Sequence, residues 1–594
     1  MDTPPAQEYA RRLQLHLDAA ALHDRRDAAV AAARVAVFGA GVVIAWMAFR
    51  DNVSASYLGI PAVVFVALLV VHERINRALE RSRRAAALYQ RAIERLANRW
   101  AGQGRPGTEF ADEEHPYARD LDIFGRGSLH ELLCTVRTAP AEATLARWLK
   151  TPATVAQAKA RQEAVRELRN RLDLREDLAL VGPELQTSLD AVLLRTWATA
   201  PAVFPPSWRA LQPLLAVLGV AALGAFIHAL FLGGSWWPAG ILALVDWAVY
   251  RAARPRLIRV IGALNRPGEH LRLLALVAER LERESFQAPL LKELHGALSS
   301  EGGTASAAIS RLARRTELMQ LQQNQLLLPF LFLLLWSLQF AIQIDRWRGA
   351  HGASVPRWLE SVGALETLCA LACYAYEHPD DVFPDVVDGP PRFAGEGLAH
   401  PLLPRCVPND VRLDEETRVI IISGSNMSGK STLLRTVGTN AVLAMCGAPV
   451  RAQRLTLTPL AIGATLRVED SLQEGRSRFF AELTRLRQLM DMAGNSPPLL
   501  FLLDEILHGT NSHDRVVGAE ALMVAFLKRG ALGLVTTHDL ALASAAERIG
   551  PHAVNMHFQD EMVQGKMVFD YRMRPGVVTR SNALELMRSL GLEV

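Results

Sequence analysis

The chain has 594 residues, of which 50% are hydrophobic, 21% charged and only 7% aromatic. That length carries several domains, and a net charge of +4 is too small to single out a nucleic acid or an acidic partner by itself. Five cysteines, Cys134, Cys369, Cys373, Cys406 and Cys446, imply no disulfide framework and show no metal-ligand spacing with histidines.

The amino terminus is of mixed charge, reads as a helix over 1–33 and lacks the basic leader of a cleaved signal peptide. Val35–Phe49 and Tyr57–Val71 are apolar runs joined by a short connector. Pro213–Leu232 and Trp236–Tyr250 form a second pair across Gly233-Gly234-Ser235. Such runs approach the roughly 20 residues that cross about 30 Å of hydrocarbon. Arg25, Arg26 and Arg34 precede the first pair, and Arg74, Arg77, Arg81, Arg83 and Arg84 follow it. Arg209 precedes the second, and Arg251, Arg254, Arg256 and Arg259 follow. This polarity predicts two transmembrane helical hairpins, over 34–72 and 209–251, in a multi-pass protein of the inner (cytoplasmic) membrane whose outer flanks are cytoplasmic. Asp246, acidic within a span, is expected to face a bundle interior or a partner.

Between and after the hairpins, Arg84–Trp100, Leu145–Leu180, Arg254–Glu284 and Ile309–Gln325 read as amphipathic helices. Residues 73–120 act as a helical linker, and 121–208 and 252–380 form a mostly α-helical core. Glu301–Thr304 and Gly349–Gly352 read as loops. Leu326–Ile344 is long enough for a fifth span, but an odd count would remove the carboxy-terminal domain from the cytoplasm, so it is expected to be one buried core helix. Asp380–Gly397, rich in Pro, Gly and acids, reads as the linker (381–397) into a domain over 398–594.

That last domain carries the chemistry. Residues 424–431 read Gly-Ser-Asn-Met-Ser-Gly-Lys-Ser between a β-branched run, Val419–Ile422, and a helix that begins at Thr432-Leu433-Leu434. Strand, Gly-rich loop and helix together predict a P-loop that binds ATP. Gly424, Ser425, Asn426, Met427, Ser428 and Gly429 would curl their N–H groups around phosphate, aided by the helix N-terminus at Thr432. Lys430 would reach the β- and γ-phosphates and Ser431 would ligate Mg2+. The apolar run Leu499–Leu503 reads as a buried parallel strand. It ends in Asp504, a second Mg2+ ligand, and Glu505, the base for the attacking water. A further strand, Leu532–Thr537, ends at His538, placed to sense or polarise the γ-phosphate. The expected fold class is therefore an α/β P-loop ATPase domain, carboxy-terminal to a mostly α-helical core with two transmembrane helical hairpins.

These motifs, with Ser477-Arg478-Phe479-Phe480-Ala481-Glu482 and His508-Gly509-Thr510-Asn511-Ser512, resemble the ATPase of MutS-type mismatch-repair proteins. Asp122-Ile123-Phe124, Arg147-Trp148-Leu149, Arg161–Val165, His400-Pro401-Leu402-Leu403 and Ser581–Leu586 extend the likeness. The resemblance implies a homodimer through the ATPase domains, with Asn511 and Ser512 reaching the partner's nucleotide in trans and Asn426 acting in cis. It also implies DNA as a partner. The family's mismatch reader pairs an aromatic with a Glu two residues on, in an amino-terminal domain. Here the only Phe-x-Glu is Phe480-Ala481-Glu482, so the resemblance is to a membrane branch without that reader. A membrane ATPase with a protein- or membrane-directed task is the other reading.

Overall fold

The computed structural model describes residues 4–50, 54–182, 191–261, 268–300, 303–425, 427–467, 478–507, 511–543, 545–563 and 566–578. The chain divides into two compact units, residues 1–103 with 173–180, and residues 104–172 with 181–594.

The first unit is built on two long helices, Pro5–Phe49 and Gly59–Leu96. They run antiparallel: Arg83 pairs with Asp24 at 2.8 Å, and Phe38 meets Phe65 with ring centroids 6.4 Å apart. At the end away from the connector, Arg12 bonds Asp173 at 2.7 Å and Glu176 at 3.0 Å, and the Tyr89 hydroxyl donates to Glu176 at 2.5 Å. Toward the connector the surface changes character, with Val35, Phe38, Val42, Trp46, Ile60, Val63 and Val66 all exposed. The helices do not break where charge gives way to apolar sequence, because the flanking Ala-, Arg- and Glu-rich segments are themselves strong helix formers.

In the second unit the helix Val355–Glu377 is buried along most of its length and packs on Ala139–Lys150 and Val155–Leu168. The expected continuous helix over Leu145–Leu180 is instead three, ending with Leu172–Leu180. Pro152 stops the first, and Thr154 starts the second through a reciprocal capping box with Gln157. A buried polar hub holds the helical region together. Asp345, fully buried, accepts the N–H groups of Val203 and Phe204 at 3.1 and 3.0 Å and pairs with Arg209 and Arg348.

The segment Leu326–Ile344 is not one buried helix. It forms Leu328–Leu333 and then Trp336–His351, broken where Leu335 takes a left-handed φ of 49°. Leu326, Leu327, Leu328 and Phe330 are exposed, whereas Leu338, Ile342 and Ile344 are buried. The break lies against Gly219 of the helix Pro206–Phe231, where a Cβ would come within 2.9 Å of the Leu334 backbone. Gly349, Ala350 and His351, expected as loop, continue the second helix, since one glycine costs a packed helix only about 1 kcal/mol. Among the described residues three helices are long and apolar enough to cross a membrane: Pro5–Phe49, Ser56–Leu96 and Pro206–Phe231. The partner expected for the third, Trp236–Ile261, carries Asp246 and four arginines and is not among them.

The carboxy-terminal region contains two sheets. Strands β1 (Asp385–Val386), β2 (Phe393–Leu398), β3 (Asn409–Leu413) and β5 (Arg454–Leu457) form one, in the order β1-β5-β2-β3. The residues expected as a linker thus contribute β1 and most of β2, because Phe393 and Leu398 point into the core. The other sheet holds β4 (Val419–Ser423), β6 (Ala461–Thr465), β7 (Leu499–Asp504), β8 (Leu532–Thr537), β9 (Ala553–Val563) and β10 (Lys566–Pro575). Its order is β10-β9-β4-β8-β7-β6, parallel except for the β9–β10 hairpin. β4, β7 and β8 are apolar up to their polar last residues and buried along nearly all their length, because helices cover both faces of a parallel sheet.

Candidate functional site

Register brings the site together. Ser423 at the end of β4 lies opposite Thr537 of β8, and Thr536 lies opposite Asp504 of β7. Three adjacent strands therefore end level, and the residues just beyond them converge on one edge: the Gly-rich loop, Glu505 and His538. Ligands bind outside the carboxyl ends of strands in open α/β sheets for this reason.

The loop leads from β4 into the helix Lys430–Cys446. Gly424 has φ 155°, and a Cβ there would lie 2.9 Å from Ser428 Oγ; Gly429, at φ 104°, sits beside the Tyr571 ring. Met427 is 85% exposed with a left-handed φ of 69°. Lys430 is buried and its Nζ donates to the carbonyls of Gly424 and Ser425, each at 2.9 Å. The same amino group lies 3.7 Å from Glu505 Oε1. Burial pushes the Lys430 amino group below its ordinary pKa, while Glu505 and Asp504 pull it back up.

Glu505 has φ 48°, and its N–H is held by the Thr536 carbonyl at 3.2 Å and the Thr536 hydroxyl at 3.1 Å. That hydroxyl in turn donates to Asp504. His538 Nδ1 lies 3.5 Å from Glu505 Oε1. Lys430, Glu505 and His538 thus meet at one point, with Asp504 beside them on the Thr536 hydroxyl. Ser431 is exposed on the first helical turn and Thr432 is half-buried behind it. Asn511 caps the helix Ser512–Lys528, its side chain bonding Asp514 at 2.7 and 2.8 Å. It faces solvent rather than this cluster. Asn426, the side chain of Ser512, and residues 468–477, 508–510 and 579–594 lie outside the described residues.

Four residues act here that sequence reasoning gives no role. Thr536 clamps the acidic pair. Glu482, buried, accepts the N–H of Leu507 at 2.5 Å and so fixes the chain just beyond Glu505. Tyr571 and Asn409 wall a cavity of about 620 Å3 that also touches Gly429, Thr432 and Thr436. Asn409 Nδ2 donates to the Tyr571 carbonyl at 2.9 Å. Glu482 lies within a recognised motif, but nothing local to Tyr571 signals the loop 142 positions before it.

The residues present suit a nucleotide with its divalent cation. Ser425 Oγ and Ser428 Oγ are buried in the loop without a hydrogen-bond partner, a situation that phosphate oxygens relieve. Lys430 is the cation, bonded to its own loop. Ser431 and Asp504 offer the oxygen donors a hard cation takes. The adjoining cavity has the size and aromatic wall for a base.

Residues 420–593 match the family MutS domain V. The chain is 35% identical to the endonuclease MutS2 of Thermus thermophilus over 252 residues, covering 41% of this chain and 32% of that one. It is 33% identical to DNA mismatch repair protein MutS 2 of Halobacterium salinarum over 245 residues, 40% of this chain and 27% of the relative. Against DNA mismatch repair protein MutS of Thermotoga maritima the identity is 31% over 239 residues, 39% and 29% respectively. The chain therefore spans about a third or less of these relatives. The comparisons support a MutS-family protein, and the strand-end cluster lies within the segment, 420–593, that matches MutS domain V.

Proposed function

We propose that this protein is a membrane-tethered, MutS-like ATPase that binds and hydrolyses ATP with Mg2+ as a homodimer and acts on DNA. The observation that carries the reading is the meeting of Lys430, Glu505 and His538 at the level ends of three strands. Lys430 exchanges its loop carbonyls for β- and γ-phosphate oxygens. Glu505 is 28% exposed, close enough to Lys430 to be oriented and open enough to take a proton from water. His538 steadies the Glu505 carboxylate and faces the γ-phosphate. Ser431 and Asp504 would hold Mg2+, which supplies charge neutralisation to the leaving phosphates. Asn511, exposed at the start of its helix, would with Ser512 enter a partner's site in trans. DNA enters through the relatives, two of which are named for DNA mismatch repair and one as an endonuclease. Membrane attachment is supported by the exposed apolar helices of both units.

A second reading has its own observation. Glu482, the acid of the only Phe-x-Glu, is buried on Leu507 N–H and cannot read a base. This favours an ATPase whose task is directed at a protein or at the membrane, without mismatch recognition. ATP turnover of the detergent-solubilised full chain, alone and with homoduplex, mismatched or branched DNA, separates the two. Stimulation by any DNA supports the first; turnover indifferent to all of them supports the second. Lys430→Ala should abolish nucleotide binding in either case. Cysteines introduced at Ser54 and Ser235 should react with an impermeant thiol reagent in sealed cells, and one at Ala353 should not. Release of the protein by carbonate washing would refute the membrane assignment.

A further inference from the structure

Outside the strand-end cluster, three donor atoms converge in the helical region of the second unit. One ring nitrogen of His130, Cys134 Sγ and a carboxylate oxygen of Glu142 all lie within 4.8 Å of one another. His130 belongs to the short helix Leu129–Leu133, Cys134 is its C-cap, and Glu142 lies in the first turn of Ala139–Lys150. The four-residue step from His130 to Cys134 turns both side chains to one face, and the turn at 135–138 folds Glu142 back over them. The cysteines thus do have a histidine partner at ligand spacing, contrary to the expectation from sequence.

The surroundings prepare these groups to ligate. His130 is fully buried, and its Nδ1 lies 3.1 Å from the Arg105 carbonyl. A carbonyl can only accept, so Nδ1 carries the proton and Nε2 keeps its lone pair. That Nε2 is buried and has no hydrogen-bond partner. The Arg105 guanidinium holds one oxygen of buried Glu142 at 2.9 Å and leaves the other available. One residue therefore orients two donors, as the outer shell of a metal site does. Phe110 and Phe124 stand 6.0 and 5.5 Å from the imidazole and keep water from it. Gly107, at φ 66°, makes room for the ring, since a Cβ there would lie 2.6 Å from Nδ1.

We propose that His130, Cys134 and Glu142 form a zinc site, with a water molecule as fourth ligand at the half-buried Cys134 side. Imidazole, thiolate and carboxylate together are a zinc donor set, whereas Mg2+ and Ca2+ require mostly oxygen. Donor atoms around tetrahedral zinc lie about 3.5 Å apart, as bond lengths of about 2.0–2.3 Å dictate, so binding draws the three inward. The thiol proton leaves to solvent as the Zn–S bond forms. The bound ion clamps the start of Ala139–Lys150, on which the central helix Val355–Glu377 packs.

Zinc content decides the matter. Purified full chain, equilibrated with micromolar Zn2+ and desalted, should retain about one zinc per chain by plasma mass spectrometry. Cys134→Ser and His130→Asn should each lower affinity about 100-fold or more, at or beyond the upper range for outer-shell changes, while Cys373→Ser retains the metal. Cobalt-loaded protein should show the d–d bands of a tetrahedral site and a thiolate charge-transfer band that Cys134→Ser removes. Should Cys134→Ser fail to fold, the cobalt spectrum of the unmodified chain still tests the site. A wild-type chain that retains no zinc, or a cobalt spectrum without thiolate character, would overturn the proposal. Neither outcome touches the ATPase assignment, whose residues lie elsewhere.

Discussion

Glu505→Gln isolates the proposed base with the least disturbance, since it exchanges one oxygen for an NH2 group and keeps shape. Glu505 N–H, held by Thr536, is backbone and stays in place, so the side chain remains 3.7 Å from Lys430 and 3.5 Å from His538. The amide cannot accept the proton of an attacking water. Loss of a positioned general base lowers turnover about 10²–10⁴-fold, or roughly 3–5 kcal/mol of transition-state stabilisation at about 1.4 kcal/mol per decade. Binding should move the other way. The carboxylate competes with phosphate for Lys430, and because Glu505 is partly exposed its hold is worth about 1 kcal/mol. Removing it should tighten ATP about fivefold. Single-turnover hydrolysis and a fluorescent-nucleotide titration measure the two effects separately. Undiminished turnover would remove Glu505 from the mechanism, and weakened binding would show that it positions the loop instead.

The site and its neighbourhood lead to two further outcomes. Mixing Lys430→Ala chains with Ser512→Ala chains should restore hydrolysis at one composite site in the heterodimer, because each supplies what the other lacks; inactive mixed dimers would argue against shared sites. His400 lies buried at the end of β2, with its Nδ1 accepting the Leu402 N–H at 3.2 Å. Burial, helped by Arg435 and Arg451, pushes this imidazole from 6.5 down to about 4. It stays neutral when folded, while the unfolded chain takes up a proton below 6.5, so stability falls as pH drops from 6.5 to 4, by about 3 kcal/mol in all. Denaturant melts across that window should flatten in His400→Gln; an unchanged slope would assign the acid sensitivity elsewhere.

The residues that make the site are readable where local pattern fixes them. Val419–Ser423, Leu499–Asp504 and Leu532–Thr537 announce themselves as buried parallel strands, and each ends within two residues of where the apolar run stops. The hidden parts depend on contacts between distant segments. Tyr571 reaches the loop only because β9 pairs with β4 and carries its hairpin partner along. The break at Leu335 answers to Gly219 on another helix, and an apolar run gives no sign of it. Glu142 joins His130 and Cys134 only through a turn, so the four-residue step between those two gives no sign of the third donor. The strands β1 and β2 are concealed by Pro and Gly, which mark the bends on either side of them.

Residues 116–122 are stitched into the carboxy-terminal sheet across most of the chain. The Pro116 carbonyl accepts the Ala464 N–H at 2.8 Å, extending the sheet beyond β6. Asp120, buried, accepts the N–H groups of Leu466 and Arg467, 346 and 347 positions away. Asp122 grips Arg435 on the helix that follows the Gly-rich loop, 313 positions away. Leu121 fills the space left by Gly438 on that helix. During synthesis these early residues must wait, their partners unmade, until the segment 435–467 has emerged. Such late closure slows folding and leaves apolar surface uncovered meanwhile. A fragment cut at 398 would expose the Gly438 face and leave the Leu466 and Arg467 amides unpaired, so the carboxy-terminal domain is not a detachable cassette: it is completed by a strap some 300 positions upstream.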